Sequence, residues 1–542
     1  MFLIKCVRKA DFFEKLSFIL LIILVSLILI VKFWVLDKGL VFSDDGWYLL
    51  LLRDLPHGLA SQFHLFFQNV FQNNIYLIRV TCYITTLISH IILAWGIYVF
   101  FKRRFNLSLA SFFFILGFTV LGDLNINPTP SFNYFTMNLQ IVELSFGLLL
   151  LGVARKNDIF LVFSGLFIGA LFFVMVTNVV IIPLVLISLW LLTDKDVKSV
   201  LFYVSGVLVL FVLYFLFIQS PTEYIGGILE NVKKTIDIGN SEYGALFLCK
   251  WFFSALFYLL EAAFIAYLFY WVKRFIDKIE IRNSFKKIIY IGCLVVGTAA
   301  ILLFFKSGLF ILYWICLFLF LYEQRKVLDL KDKIIFLLFC FTPVCLSFGT
   351  NISFTSRGYY YLSFITPLLF LLAKRDFFNQ LIVYLLIIVN LLVSLRTLHF
   401  PNWEGSVRVE QVIPVASLNI QQNIKLSGEY IDILTSLQKY LKPGDNIIVD
   451  CHCWGYACLL DLNPLTYTFR LNYPEVLEVI VEQQRIDTCF NFGVLLPTAL
   501  EDERLLYLIG ESFPEFYSEK VIVEDKLSLT LYRSAVDSSL GE

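Results

Sequence analysis

Residues 16–36 read LSFILLIILVSLILIVKFWVL, and a few positions later comes Phe42-Ser43-Asp44-Asp45-Gly46-Trp47-Tyr48. The apolar run follows Lys5, Arg8, Lys9 and Lys15, the basic flank of a secretory signal. It is too long for one, and no small-residue cleavage site follows, so it reads as a retained membrane-spanning helix. The whole chain agrees: 59% of residues are hydrophobic and only 16% are charged, with a mean hydropathy of +0.79. That profile excludes a water-soluble domain. With 43 basic and 43 acidic residues the chain is neutral, which leaves no footprint for a nucleic-acid partner.

Further apolar runs fall near 78–100, 107–122, 132–153, 159–174, 176–192, 199–219, 251–272, 288–305, 308–322, 334–349, 359–373 and 380–398. The expectation is an α-helical polytopic membrane protein of about 13 transmembrane helices. Basic residues test it, because short cytoplasmic loops are enriched in Lys and Arg. With the N-terminus inside, the inner segments are the N-terminal tail, Lys102-Arg103-Arg104, Arg155-Lys156, Lys195 with Lys198, 273–287, 323–333 and Lys374-Arg375. They hold 23 basic residues, whereas the outer ones hold 8: Lys38, Arg53, Arg79, Lys233, Lys234, Lys250, Lys306 and Arg357. The asymmetry puts Asp44 and Asp45 outside, together with the C-terminus.

Three outer loops stand out within the membrane domain, 1–398. Loop 37–77 carries Asp44, Asp45, Arg53, Asp54, His57 and His64, and loop 122–131 has Asp123 as its only charge. In loop 220–250, Ile225, Ile228, Leu229, Val232 and Ile236 fall on one helical face, with Glu230, Lys233, Lys234 and Asp237 opposite. That pattern suits a helix lying on the membrane surface, and equally a solvated loop helix. The predicted spans themselves carry few charges, chiefly Glu143 and Glu261.

Beyond 398 the apolar runs shorten to strand length. After a linker at 399–427, alternating patterns predict helices at 428–441, 474–485 and 500–510 and strands at 446–450, 489–496, 519–524 and 527–532. The expectation is a small extracytoplasmic α/β domain over 428–542, with its acidic residues scattered on solvated helix faces and no catalytic carboxylate among them. Cys451, Cys453, Cys458 and His452 cluster there with Cys489. Cys-x-Cys beside one His is not a standard zinc spacing, so buried thiols and one disulfide through Cys489 stay open as the simpler readings.

Asp44-Asp45-Gly46-Trp47-Tyr48 in the first outer loop resembles the Asp-Glu-x-x-Tyr motif of the GT-C membrane glycosyltransferases, closest to the protein O-mannosyltransferase and aminoarabinose-transferase group. Arg79 sits where those proteins carry an Arg entering the second helix. Ser131-Phe132-Asn133-Tyr134 after a Pro-containing loop, and Ser356-Arg357-Gly358-Tyr359-Tyr360 before a late helix, also fit that plan. Position 45 departs from it, being Asp where Glu is usual. A His-Pro-Pro-Leu type segment is absent from the first loop, and Thr177-Asn178 stand where a Lys commonly opens a mid-bundle helix.

The resemblance implies an inverting transferase in a bacterial plasma membrane. It would move a sugar from a polyprenyl-phosphate carrier in the bilayer to an extracytoplasmic acceptor: glycolipid, polysaccharide or protein. An acceptor hydroxyl is a poor nucleophile, so a carboxylate must take its proton as the new bond forms. In that scheme Asp44 is the base, Asp45 and Asp123 assist, and Arg357, with Arg79, Lys306 and Tyr48, binds donor and neutralises the departing phosphate. The Asp pair could also hold a divalent cation. Competing with these roles are plain ones: adjacent Asp residues before Gly cap helices and turns, and boundary Arg residues snorkel. A transporter or flippase, or an O-antigen ligase or polymerase, acting on lipid-linked saccharide is the alternative.

Overall fold

The computed structural model describes residues 12–37, 74–123, 134–237, 245–279, 308–347, 358–373, 412–414, 424–450, 452–465, 473–487, 490–498 and 503–534, with scattered positions in 285–297 and 379–389. Helices α1 (Phe12–Val35), α2 (Ile75–Phe101), α3 (Leu109–Gly122), α4 (Tyr134–Arg155) and α5 (Asp158–Val174) come first. A 3-10 turn (Val176–Val180) leads into α6 (Ile181–Leu192), then α7 (Val197–Phe217), α8 (Pro221–Asp237), α9 (Ala245–Lys278), α10 (Gly308–Gln324) and α11 (Leu330–Ser347). A second 3-10 turn (Gly358–Phe364), non-helical at Tyr361, precedes α12 (Thr366–Ala373).

Polar caps start the helices where the apolar runs begin. Asn74 accepts from Leu77 N at 3.0 Å, Asn157 from Ile159 N at 3.0 Å, and Asp196 from Lys198 N and Ser199 N at 3.1 and 3.2 Å. Each satisfies backbone donors that the first turn leaves open. Small residues then let helices approach closely, as expected where lipid supplies no hydrophobic drive between them. A methyl group at Gly96 would overlap the backbone of Gly147, joining α2 to α4, and one at Gly165 would overlap Tyr203, joining α5 to α7.

Each apolar run outside 288–305 and 380–398 coincides with a helix, and those two lie largely outside the described residues. Only Ile75–Phe101, Tyr134–Arg155, Val197–Phe217 and Lys250–Lys278, among the described residues, are long and apolar enough to cross a membrane on length and composition. Of the rest, α1 has 24 residues, with its described apolar part at Phe18–Trp34, and the others are shorter. The 359–373 run is broken by its 3-10 turn, leaving an α-helix of 8 residues, about 12 Å at the standard rise. The described helices therefore do not amount to thirteen full-length crossings.

Loops assigned by charge to the inner side do meet. Lys331 pairs with Asp194 at 2.6 Å, Lys273 with Glu323 at 2.6 Å and Lys198 with Asp158 at 3.2 Å. Arg104, following α2, reaches both Asp329 and Asp332 at the start of α11. These contacts put the ends of α2, α5, α6, α7, α9, α10 and α11 on one side. The amphipathic segment is helical too: α8 buries Tyr224, whose hydroxyl donates to Phe172 O at 2.9 Å, and exposes Ile225 and Leu229.

The C-terminal region contains β1 (Val412–Pro414), β2 (Lys425–Ser427), α13 (Gly428–Leu437), β3 (Asn446–Val449), α14 (Trp454–Leu459), β4 (Asn463–Pro464), α15 (Tyr473–Ile486), β5 (Phe492–Pro497), α16 (Glu503–Ser512), β6 (Phe516–Val523) and β7 (Leu527–Ser534). The β1–β2 pair lies within the stretch read as a linker. Five strands form a sheet ordered β4-β3-β5-β7-β6, parallel on the β4-β3-β5 side and antiparallel beyond. Alternation along the strands divides its faces. Ile448, Val494, Leu496 and Tyr532 pack with Val476 and Ile480 of α15 and Leu505 and Ile509 of α16. Ile447, Val449, Leu495, Leu529 and Leu531 join the core that runs on into the bundle. Lys425 fastens the two regions: its backbone N donates to Asp37 O at 2.6 Å and its ammonium pairs with the Asp37 carboxylate at 2.7 Å.

Candidate active site

Asp37 ends the described part of the α1 segment and lies seven residues before Asp44. Asp44, Asp45, Tyr48, Lys306 and Arg357 lie outside the described residues, as do His57 and His64. The structure does describe the α1 end before Asp44 and the 3-10 turn after Arg357, and both lie against the Asp123 end of α3. There Lys32, in the last turn of α1, donates to Asp123 Oδ2 at 2.5 Å and to Asp123 O at 2.7 Å. Asp123 is the C-cap of α3.

A chain of polar side chains continues inward from Asp123. Its Oδ2 lies 3.4 Å from His90 Nε2 on α2, and His90 Nδ1 is 2.7 Å from Glu143 Oε2 on α4. Ser89 donates to the same Oε2 at 2.6 Å, and Ser363 donates to Oε1 at 2.6 Å. One turn away Gln140 donates to Thr86 Oγ1 at 2.8 Å and to Cys82 O at 3.1 Å. Ser89, His90, Glu143 and Ser363 are buried, and a bare charge at such depth is costly. Here each charged or ionisable member meets another within hydrogen-bonding reach or just beyond it.

Asp123 is thus a tethered carboxylate. Burial would raise its pKa, but the Lys32 ammonium and His90 together outweigh this and hold it at about 2. A group so acidic is a weak proton acceptor near neutral pH. Arg79 is buried and donates from Nη1 to Leu36 O at 3.2 Å. That burial turns the side chain inward, toward the end of α1.

Sequence reading noted Glu143 but missed His90, Lys32, Ser89 and Ser363. A His and a Glu inside apolar runs were the available signals; their pairing across 53 positions was not. Also missed were two buried amides without a partner: Asn138 on α4 and Asn178 in the first 3-10 turn have neither side-chain atom hydrogen-bonded. Asn178 belongs to the Thr177-Asn178 pair that stands in place of a Lys. In the C-terminal region Cys453 is buried and Cys458 half-buried, while Cys451 and Cys489 lie outside the described residues. Among the described residues no group of three His, Cys, Asp or Glu side chains could hold a metal.

No family model and no curated protein matches the chain. Solved structures do. The chain is similar to the oligosaccharyltransferase of Archaeoglobus fulgidus tethered with an acceptor peptide containing the NVT sequon, at 10% identity and a TM-score of 0.45, over 92% of this chain and 72% of that one. It is also similar to AglB from Archaeoglobus fulgidus in complex with an inhibitory peptide and a dolichol-phosphate, at 11% and 0.44, over 97% and 75%. ArnT from Cupriavidus metallidurans in the apo state matches at 13% and 0.37, over 94% and 97%. These neighbours are GT-C glycosyltransferases.

Proposed function

We propose that the chain is a membrane glycosyltransferase that moves a sugar from a polyprenyl-phosphate carrier to an extracytoplasmic acceptor, with Asp44 as general base. The observation that carries this reading is the convergence at one end of the bundle. The α1 end that leads into Asp44-Asp45, the Asp123 cap of α3 and buried Arg79 meet there, beside the Lys425 anchor of the C-terminal region.

The chemistry follows from what such a transfer needs. Asp44 takes the acceptor hydroxyl proton while the oxygen attacks the anomeric carbon and the carrier phosphate leaves with the bonding electron pair, inverting that centre. Arg357, sequence neighbour of the second 3-10 turn, binds the departing phosphate through paired N–H donors. Asp123, already neutralised by Lys32, serves as an electrostatic tether and not as the base. The carrier's lipid stays in the bilayer against the exposed apolar helix faces, while the C-terminal region stabilises the site and supplies no catalytic carboxylate.

One observation favours a second reading. Lys32, His90, Asp123 and Glu143 form a chain of ionisable groups, and such groups within helices mark translocation routes in transporters of lipid-linked saccharide. Mass spectra of envelope glycolipids and glycoproteins from cells with and without the chain separate the two. A transferase leaves one sugar missing from an otherwise exported acceptor. Retention of the complete, sugar-bearing lipid on the inner leaflet would instead establish transport.

A further inference from the structure

We propose that Arg274 and Arg325 form a binding site for the phosphate of an anionic phospholipid, at the membrane boundary between α9 and α10. The site lies at the end of the bundle away from Asp123 and stands apart from the transferase reading. The two arginines come from different helix ends: Arg274 is near the end of α9, and Arg325 directly follows α10. Both guanidinium groups nonetheless pack over one ring, that of Tyr270, at 5.3 and 5.8 Å from its centroid. Two cations gathered on one ring repel each other, so the arrangement calls for a negative partner. The protein does not supply it. Glu323, two residues before Arg325, has both oxygens engaged: Oε1 pairs with Lys273 at 2.6 Å, and Oε2 accepts from Asn379 at 2.6 Å. Among the described residues no carboxylate lies within ion-pair distance of either arginine.

Contact with a ring does not consume N–H donors, and the guanidinium fork matches phosphate oxygens bidentately. Acyl chains find a surface beside it. Tyr267, Trp271 and Arg274 recur four and three residues apart, hence on one face of α9, and Tyr267, Trp271 and Phe275 are exposed together with Phe264 and Leu268. The rings join the two helices: Trp271 meets Tyr267, and Tyr267 and Tyr270 each meet Tyr322 of α10. Lys250–Lys278, which holds most of α9, is long and apolar enough to cross a membrane. This aromatic and basic end therefore falls at the headgroup level, where Trp and Tyr collect and basic pockets between helices hold anionic headgroups. The cytoplasmic bias of basic residues asks only for positive charge at this end. It does not ask for two guanidinium groups on one ring without a counter-charge.

The experiment is native mass spectrometry of the full chain in detergent, titrated with dioleoyl phosphatidylglycerol, dioleoyl phosphatidylcholine or inorganic phosphate. The wild type should hold phosphatidylglycerol more tightly than phosphatidylcholine, whose choline cation the arginines repel. Arg274→Gln and Arg325→Gln should each weaken phosphatidylglycerol binding by about fivefold, the scale of one basic side chain at an anionic surface. The double variant should lose the preference between the two lipids. Both side chains are exposed, so neither change removes core packing. Arg155→Gln is the control: Arg155 is exposed at the same end by charge and packs over a different ring, Phe160, at 6.0 Å, and its loss should leave binding unchanged. Equal retention of the two lipids, unchanged binding in either Arg274→Gln or Arg325→Gln, or equal weakening by Arg155→Gln overturns the site. Displacement of phosphatidylglycerol by inorganic phosphate would assign the arginines to free phosphate and overturn the lipid.

Discussion

At the end assigned by charge to the inside, Lys331 meets Asp194 and Lys198 meets Asp158 across short loops, and one side chain of each pair, Asp194 and Lys198, is well exposed. At the outer end Lys32, Asp123, His90 and Glu143 pair between helices, with His90 and Glu143 withdrawn from solvent altogether. Both ends carry matched charge, but the energetics differ. Exposed pairs gain little, because water screens them and two long side chains must be ordered. Buried pairs depend on every partner, since removing one leaves an uncompensated charge in a medium of low polarity. Those inner pairs thus read as topology and the outer end as a site.

The comparison breaks first on sidedness, where the outcome is all or none. Cysteine introduced at exposed Lys439, in the C-terminal region, should react with a membrane-impermeant maleimide in intact cells. Cysteine at exposed Lys278 should react only after permeabilisation. The reverse pattern would exchange inner for outer throughout. Next in size is His90→Leu, which leaves Glu143 buried with only hydroxyl donors. The expected loss is about 3–5 kcal/mol, the scale for breaking a buried pair, read as unfolding of the detergent-solubilised chain in denaturant.

Arg104→Met should cost less, about 1–3 kcal/mol in the same assay, as the loss of a charged partner to a polar group. Its partner Asp332 is mostly buried, but it also accepts from the Asp329 backbone N at 3.2 Å. Lys331→Met, whose partner Asp194 is 79% exposed, should produce no measurable change. If it destabilises as much as His90→Leu, the contrast between the two ends disappears.

Much of the fold was legible because apolar runs and helix periodicity are local. The runs at 78–100, 132–153 and 199–219 reappear as α2, α4 and α7, and the helices at 428–441, 474–485 and 500–510 as α13, α15 and α16. What escaped was short or long-range. β4 pairs through two residues and α14 has six, below the length at which a pattern can be read. The 3-10 breaks at Val176–Val180 and Gly358–Phe364 sit inside apolar runs that look continuous. For the site, Asp123 and Arg79 could be named but their partners could not. Lys32 lies 91 positions from Asp123 and Ser363 lies 220 from Glu143; only helix packing brings such residues together.

The central claim is that proton abstraction at the outer end belongs to Asp44. The most direct measurement uses cells lacking the chain, complemented with wild type, Asp44→Asn or Asp123→Asn at equal membrane abundance, with the rate of sugar appearance on the acceptor followed by mass spectrometry. Asp44→Asn keeps size and hydrogen bonding but removes basicity. Its rate should fall by about 10²- to 10⁴-fold, the scale of general-base catalysis, while Asp123→Asn keeps a larger share. Near-wild-type transfer by Asp44→Asn, with transfer abolished in Asp123→Asn, would contradict the account.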